Sequence, residues 1–158
     1  MRLYFVRHGQ AEDRAAWAPA QDHLRPLTEA GKQRMRDSAR TMRKLGLKPA
    51  VILTSPLVRA VQTAEIVAKE LGCDVVQEEA LGPGFGVGAL AELLESYEEA
   101  DSLLLVGHEP DFSATVEALV GGGRVVVKKG SLIRVDLFSL TPPRGELHWM
   151  IPPKLLAL

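Results

Sequence analysis

Two runs of consecutive apolar residues constrain the fold of this chain more than any other feature. Residues 50–54 and 102–107 are apolar almost without interruption, which is typical of strands that are covered on both faces. Between such runs lie stretches in which apolar residues recur every three or four positions, the period of an amphipathic helix. The alternation of these two patterns predicts a parallel sheet with helices packed on both of its faces.

The remaining elements follow from local signals. Further strands are expected at residues 2–6, 74–77, 132–138 and 146–151, where β-branched or aromatic side chains recur. Thr28 is expected to cap a helix that ends near Leu45, and Ser55 with Pro56 to open a second helix. A third helix is expected over residues 87–97 and a fourth over residues 110–120.

These elements define the fold class as α/β. We expect a three-layer sandwich, with a mostly parallel, doubly wound sheet between two layers of helices. The last two strands, joined by a turn at residues 142–145, are predicted to form an antiparallel edge. No linker or repeat interrupts the pattern, so residues 1–158 are expected to form a single domain.

The composition excludes several classes of function. The chain has 158 residues and a net charge of -1, which gives no bulk attraction to nucleic acid or to a membrane surface. No apolar run approaches the roughly 18 residues that span a bilayer, and the first apolar run is too short for a signal peptide. The single cysteine, Cys73, cannot form an internal disulfide and suits a reducing compartment. We therefore expect a cytoplasmic enzyme without a nucleic-acid or membrane partner.

Polar residues that could carry chemistry follow three of the predicted strands. Arg7 and His8 end the first strand, Arg59 comes shortly after the second, and His108 ends the strand at residues 102–107. Because the carboxyl ends of parallel strands meet at one edge of a sheet, ligands bind there. Two arginines and two histidines should therefore converge at this edge, beside two helix N-termini.

This set of side chains suits a phosphoryl group. Arginine binds phosphate oxygens with a planar, permanently charged fork, and helix N-termini add free backbone N–H groups. A histidine with one unprotonated ring nitrogen can attack phosphorus. Gly9, next to His8, is expected to let a ligand approach the backbone. No cluster of metal ligands is visible in the sequence, so neither a metal nor another cofactor is expected.

The motifs resemble those of a known family. Arg7-His8-Gly9 after an N-terminal strand, the segment SPLVRAVQTA at residues 55–64, and Gly107-His108 at a late strand end resemble the three motifs of the histidine phosphatase (phosphoglycerate mutase-like) superfamily. The resemblance implies that His8 is the phosphorylated nucleophile and that Arg7, Arg59 and His108 form the phosphate pocket. Glu109, which follows His108, is expected to join these residues in binding the substrate.

Within this superfamily the chain looks most like the bacterial protein-phosphohistidine phosphatases. The segments at residues 9–27 and 78–101 are short, whereas mutases of the family carry longer insertions that wall the pocket. The ending at residues 149–155 also resembles this branch. A shallow pocket could admit a phosphorylated side chain of another protein. The resemblance thus implies a metal-independent phosphatase that binds phosphate at its active site, acts on protein phosphohistidine and serves in signal transduction.

The proton donor is the one part of the pattern that departs from the family. Many members place an acid after the third strand, where Glu79 is the nearest candidate, although Ala80 could fill that position. Glu12, Asp13 and Glu109 are further candidates. An imidazole leaving group has a conjugate-acid pKa near ~6.5, so it departs without the strong protonation that an alkoxide needs.

Two alternatives remain open on the sequence. One is a small-molecule phosphomonoesterase or a phosphoglycerate-mutase-like enzyme, which would require a deeper pocket. The other, from a different class, is a catalytically weak phosphate-binding interaction module, which the absence of an obvious acid favours. Charge is also unevenly spread, since residues 28–48 are mostly basic and residues 73–101 are acidic. Such faces are either simply solvated or serve to dock a charged protein substrate.

Overall fold

The computed structural model describes all residues from 1 to 158 and contains one six-stranded sheet. Its strands are β1 (Arg2–Arg7), β2 (Val51–Thr54), β3 (Val75–Gln77), β4 (Ser102–Gly107), β5 (Leu132–Leu140) and β6 (Pro143–Ile151). They lie in the order β3-β2-β4-β1-β5-β6. The first four are parallel, whereas β5 and β6 run antiparallel at one edge. This arrangement confirms the predicted α/β class and its antiparallel edge.

Five helices accompany the sheet. They are α1 (Glu29–Lys44), α2 (Val58–Leu71), α3 (Val87–Glu95), α4 (Asp111–Val120) and the short α5 (Pro153–Leu156). Single 3-10 turns occur at Arg14–Ala16, Pro19–Leu24 and Glu79–Leu81. None of the helices combines the length and the apolar character needed to cross a membrane.

The two faces of the sheet carry separate hydrophobic cores, which explains the uninterrupted apolar runs. Successive strand residues point to opposite faces, so Leu3 and Phe5 enter one cluster while Tyr4 and Val6 enter the other. The first cluster packs against α3 and α4, and the second against α1 and α2. Each fully buried aliphatic or aromatic side chain contributes about 1.5–3 kcal/mol relative to exposure.

Several predicted boundaries were wrong. Helix α2 begins at Val58 rather than at Ser55 and Pro56. Its N-cap residue is Leu57, whose side chain makes no capping hydrogen bond. Ser55 cannot act as its cap because its hydroxyl is held inside the protein by other partners, described below. Helix α3 ends at Glu95 and α4 begins at Asp111, each slightly shorter than expected.

The turn between the last two strands was also misplaced. It lies at residues 141–142, because β5 extends to Leu140 and Pro143 already pairs with it as the first residue of β6. Proline has no N–H to donate, but β6 is an edge strand, where this loss is tolerated.

Candidate active site

Pairing of β1 with β4 brings the two predicted histidines together. Arg7 lies opposite Gly107 in the parallel register, so His8 and His108 follow at the same height. The backbone N–H of His8 donates to the carbonyl of Gly107 at 3.1 Å, and the centroids of the two imidazole rings are 5.2 Å apart. Hydrogen bonds of the sheet therefore fix the separation of these side chains.

An open cleft of about 1150 Å³ lies at this edge of the sheet. Arg59, in the first turn of α2, reaches the cleft from the neighbouring strand–helix junction. The cleft is lined by Arg7, His8, Arg59, His108 and Glu109, and thus by five of the predicted site residues. Glu79 does not line it.

His8 is oriented by its own backbone neighbour. Its ring Nδ1 lies 2.8 Å from the carbonyl oxygen of Gly9, and since a carbonyl can only accept, Nδ1 carries the proton. The Nε2 atom then carries the lone pair and has no protein partner. Burial lowers the pKa of His8 to about 3, and the nearby positive charges of Arg59 and Arg7 act in the same direction. The ring is therefore neutral at pH 7, the form in which histidine is a nucleophile.

Gly9 serves packing rather than ligand approach, contrary to the sequence-based expectation. A Cβ atom at this position would lie 2.8 Å from Cγ of Met35 on α1. The Gly9 N–H is also used within the protein, since it donates to Oγ1 of Thr63 at 3.1 Å. Gly9 thus lets α1 pack closely beneath the turn that carries His8.

His108 is held by Ser55, a contact that sequence analysis missed. The Ser55 hydroxyl lies 2.7 Å from His108 Nε2 and accepts the backbone N–H of Leu57 at 3.2 Å. Both side chains are buried. Burial, followed by the charge of Arg59, lowers the pKa of His108 to about 4. The Ser-Pro pair that suggested a helix cap therefore marks a residue that contacts one of the two histidines of the cleft.

A buried ion-pair network was the other feature missing from the sequence analysis. The Asp22 carboxylate accepts hydrogen bonds from Arg25 Nε at 3.0 Å and from Arg59 Nη2 at 3.1 Å. The backbone carbonyl of Asp22 accepts a further hydrogen bond from Arg59 Nη1 at 2.9 Å. Partial burial works to raise the pKa of Asp22, but the hydrogen bond from Arg25 and the charge of Arg59 outweigh it and lower the pKa. Arg25 is only 4% exposed and also donates to the carbonyl of Glu12 at 2.8 Å. The only sequence signal for this network was the Asp-x-x-Arg spacing in a segment without regular periodicity.

Three buried nitrogen atoms at the cleft lack a partner in the protein. They are Nε of Arg7, Nε of Arg59 and Nδ1 of His108. Arg7 is otherwise anchored, since its Nη1 donates to the carbonyl of Val127 at 2.8 Å. Burial lowers the pKa of both arginines, but a guanidinium stays protonated under all ordinary conditions. Unpaired buried donors are rare in proteins, and here all three belong to residues that line the same cleft.

The predicted proton donors lie in different surroundings. Glu79 is exposed in a 3-10 turn outside the cleft, so its placement gives no support for a role in proton transfer. Glu109 lines the cleft, but its two oxygens accept from the N–H and the hydroxyl of Ser113 at 2.8 and 2.7 Å. Glu12 and Asp13 also line the cleft, where Glu12 accepts from the Trp17 indole at 3.2 Å. The structure contains no group of three or more metal-ligating side chains.

The sequence matches a family profile at the part of the chain that forms most of this cleft. The profile, described as the histidine phosphatase superfamily (branch 1), matches residues 3–83. An uncharacterized protein of Picosynechococcus sp. is 40% identical over 171 residues, which cover 96% of this chain and 100% of the relative. The chain belongs to the histidine phosphatase superfamily.

Two further comparisons relate this histidine phosphatase to proteins with described activities. Its fold is similar to that of the protein histidine phosphatase SixA complexed with tungstate, with a TM-score of 0.85, 27% identity and 98% coverage of both chains. The probable phosphoglycerate mutase GpmB of Photorhabdus laumondii is 37% identical over 78 residues, covering 49% of this chain and 35% of the relative. The predicted family is thus confirmed, and the protein is a phosphatase, a hydrolase that acts on bonds to phosphorus.

Proposed function

We propose that this phosphatase removes phosphate from phosphohistidine side chains of proteins, with His8 as a covalent nucleophile and without a metal ion. One observation carries the proposal. The neutral His8 ring has a free Nε2 atom in a cleft where Arg7, Arg59 and His108 have unpartnered buried nitrogens. A nucleophile thus lies among donors that can hold the oxygens of a phosphoryl group in its transition state.

The reaction has two steps. In the first, His8 Nε2 attacks phosphorus in line, the bond between phosphorus and the substrate imidazole breaks, and the departing nitrogen takes up a proton from water. The hydroxide ion left behind is neutralised by the proton that the attacking water gives up in the second step. In the second, a water molecule attacks phosphorus, the bond to Nε2 breaks, and inorganic phosphate leaves. Arg7 and Arg59 neutralise the non-bridging oxygens in both steps. His108 assists as a donor through Nδ1 when its Nε2 accepts from Ser55.

The carboxylates of the cleft support an imidazole leaving group. Asp22 is shared by two arginines, and both oxygens of Glu109 accept hydrogen bonds from Ser113. Asp111 accepts the backbone N–H of Gly84 at 2.8 Å. These acids are engaged as acceptors rather than poised to deliver a proton, and phosphohistidine needs such a proton far less than a phosphate ester does.

The access to the cleft supports a substrate carried by another protein. The walls at residues 12–22 consist of short 3-10 turns rather than of a long inserted segment. SixA is a protein histidine phosphatase, and the tungstate found with it is a tetrahedral oxyanion like phosphate. A histidine side chain that projects from a folded partner could reach His8 through an opening of this kind.

A small-molecule phosphatase is the second candidate, and Glu12 favours it. This carboxylate lines the cleft and is exposed, so one of its oxygens could deliver a proton to an alkoxide. GpmB, to which part of the chain is similar, is a probable phosphoglycerate mutase and thus an enzyme with a small-molecule substrate.

A substrate panel separates the candidates. Purified protein is assayed with a phosphohistidine protein domain, a phosphohistidine peptide, phosphoglycerates and p-nitrophenyl phosphate, each with His8→Ala as the blank. We expect kcat/KM for the phosphohistidine substrates to exceed that for the esters by at least about a hundredfold, a difference of nearly 3 kcal/mol in transition-state stabilisation. A preference for phosphoglycerates that is lost in Glu12→Gln would establish the second candidate instead. If the protein bound phosphate but turned over none of these substrates, it would instead be a catalytically weak phosphate-binding interaction module.

A further inference from the structure

A second groove, of about 440 Å³, adjoins the active-site cleft. It shares Arg7, Gln10 and Lys129 with the cleft but does not reach His8. Its other walls come from α1, from the segment that precedes β5, from the turn after β1 and from the start of α5. These walls are formed by Gly9, Gly31, Arg34, Met35, Ser38, Lys128, Gly130 and Pro153. We refer to it below as the basic groove.

The basic groove is strongly positive. Four of its 11 lining residues are cations, namely Arg7, Arg34, Lys128 and Lys129, and none is an acid. Arg34, Lys128 and Lys129 are exposed and form no ion pair. Three other cations on α1, namely Lys32, Arg40 and Arg43, each pair with a carboxylate at 2.8 to 3.2 Å. Unpaired charges of one sign in one concavity raise the local concentration of anions.

A buried hydroxyl completes the groove. Ser38 lines it from α1, is 0% exposed, and its Oγ atom has no hydrogen-bond partner. A serine within a helix commonly satisfies its hydroxyl by donating to the carbonyl four residues earlier. The Ser38 hydroxyl does not, so an unpartnered hydroxyl group belongs to a residue that lines this positive cavity.

Hydrogen bonds to Arg7 hold the segment that carries Lys128 and Lys129 next to the active-site cleft. The carbonyl of Val127 accepts from Arg7 Nη1 at 2.8 Å, and the N–H of Gly130 donates to the carbonyl of Arg7 at 3.0 Å. The segment between these two contacts carries Lys128 and Lys129. Burial, followed by the charge of Arg7, lowers the pKa of Lys129, which is the effect expected where cations are crowded without a counter-ion.

We propose that the basic groove is a second oxyanion subsite, which binds a carboxylate or phosphate group located next to the scissile phosphoryl group on the same substrate. The inference rests on the proposed function, because it assumes a phosphorylated protein substrate. Arg7 and Lys129 border both cavities, so a ligand in the basic groove lies beside the phosphate pocket. An acidic side chain that neighbours phosphohistidine supplies the required chemistry, and free inorganic phosphate is the other source of the same group.

Matched peptides test the role in substrate selection. Two phosphohistidine peptides are compared that differ only in carrying glutamate or glutamine at the positions flanking the phosphohistidine. We expect the wild type to prefer the acidic peptide in kcat/KM by roughly threefold to tenfold, the range of a partly screened ion pair, and to lose this preference at high salt. Arg34→Ala/Lys128→Ala should abolish the preference and leave kcat/KM for the glutamine peptide unchanged. The control Lys32→Ala/Arg36→Ala removes the same charge from a different groove on α1 and should keep the preference.

Direct binding separates this inference from the proposed function. Backbone amide NMR spectra are recorded during titration with inorganic phosphate, and we expect shifts at Ser38 and Gly31, which line the basic groove but not the cleft, in the wild type but not in Arg34→Ala/Lys128→Ala. Failure to hydrolyse any phosphohistidine peptide would refute the proposed function while leaving these shifts in place. Shifts without a peptide preference would assign the groove to free phosphate and refute its role in selection. Shifts confined to the surroundings of His8 in both proteins would overturn the subsite itself.

Discussion

Asp22 binds Arg59 through two different oxygen atoms, the backbone carbonyl at 2.9 Å and the carboxylate at 3.1 Å. The same carboxylate binds Arg25. A negatively charged carboxylate thus already lies against the guanidinium that we propose as a phosphate ligand. The protein acid and a phosphate group must share Arg59, and this sharing limits how tightly phosphate is held after hydrolysis.

Asp22→Asn tests this relationship. The substitution keeps an oxygen that can accept a hydrogen bond but removes the charge, so the positive potential of the cleft rises. We expect inorganic phosphate to inhibit about threefold to tenfold more strongly, because roughly 1 kcal/mol of repulsion is lost. The measurement is the inhibition constant of phosphate, with Asp37→Asn on the outer face of α1 as control. Weaker inhibition would mean that Asp22 serves mainly to orient Arg59.

Ser55→Ala tests the support of His108. Without the hydroxyl, the imidazole loses its 2.7 Å partner and can rotate away from the phosphoryl group. We expect kcat to fall about tenfold or more, since a misplaced donor stabilises the transition state less, while KM changes little. Thr115→Ala removes another buried hydroxyl, from α4, and should leave kcat intact. Equal losses in the two variants would reduce the role of Ser55 to general stability.

His8→Ala tests the covalent intermediate. The variant should lose both turnover and labelling by a phosphorylated substrate, because the other imidazole of the cleft, that of His108, has its Nε2 bound to Ser55 and its Nδ1 buried. Rapid quenching followed by peptide mapping measures the label, which should be acid-labile and alkali-stable as expected for a phosphoramidate. Phosphate found on Ser55, or unchanged turnover in the variant, would contradict the assignment of the nucleophile.

Chelators and vanadate test whether a metal ion takes part. Because arginines already supply positive charge at the cleft, activity should survive dialysis against a chelator, and vanadate should inhibit by mimicking the pentacoordinate transition state. Initial rates before and after dialysis, with and without added divalent ions, provide the measurement. Loss of activity in the chelator that a divalent ion restores would refute metal independence.

Stability should fall on acidification below neutral pH. The pKa of His8 is lowered to about 3 and that of His108 to about 4 in the folded protein, so the unfolded chain binds more protons below its own histidine pKa of ~6.5. Folding stability therefore decreases from about pH 6.5 down to about pH 3, by up to about 1.4 kcal/mol per pH unit for each histidine. Urea midpoints at pH 7, 6 and 5 measure the slope. His8→Asn should flatten it, and an unchanged slope in this variant would contradict the lowered pKa of His8.

The fold and the convergence of the four main side chains were predictable because both follow from periodic patterns. Unbroken apolar runs are typical of buried parallel strands, and the carboxyl ends of such strands lie at one edge of the sheet. That rule alone places His8 beside His108. Boundaries were less predictable, since Ser55 has the chemistry of a helix cap and is used instead to hold His108.

The residues that sequence reasoning missed lie in segments without a periodic pattern of apolar residues. Asp22 and Arg25 occur in the irregular segment between β1 and α1, and the pairing of Asp22 with both Arg25 and Arg59 depends on how that segment folds across α2. The close contact of Gly9 with Met35 likewise depends on the packing depth of α1. Such contacts arise from three-dimensional packing, which local propensity does not encode.

Because of the hydrogen bond from His8 to Gly107, the central strands and the loops around the cleft differ in how freely they can change during evolution. Because neighbouring strands fix the distance between the imidazoles, the stretches at residues 13–21 and 121–126, which exclude Asp22, Val127 and Gly130, can change in length and charge without disturbing it. Substrate preference can therefore diverge through insertions and substitutions in these loops, while the reacting centre is inherited unaltered with the sheet. A lineage of such enzymes would acquire new substrates by remodelling loops around a constant pair of strands.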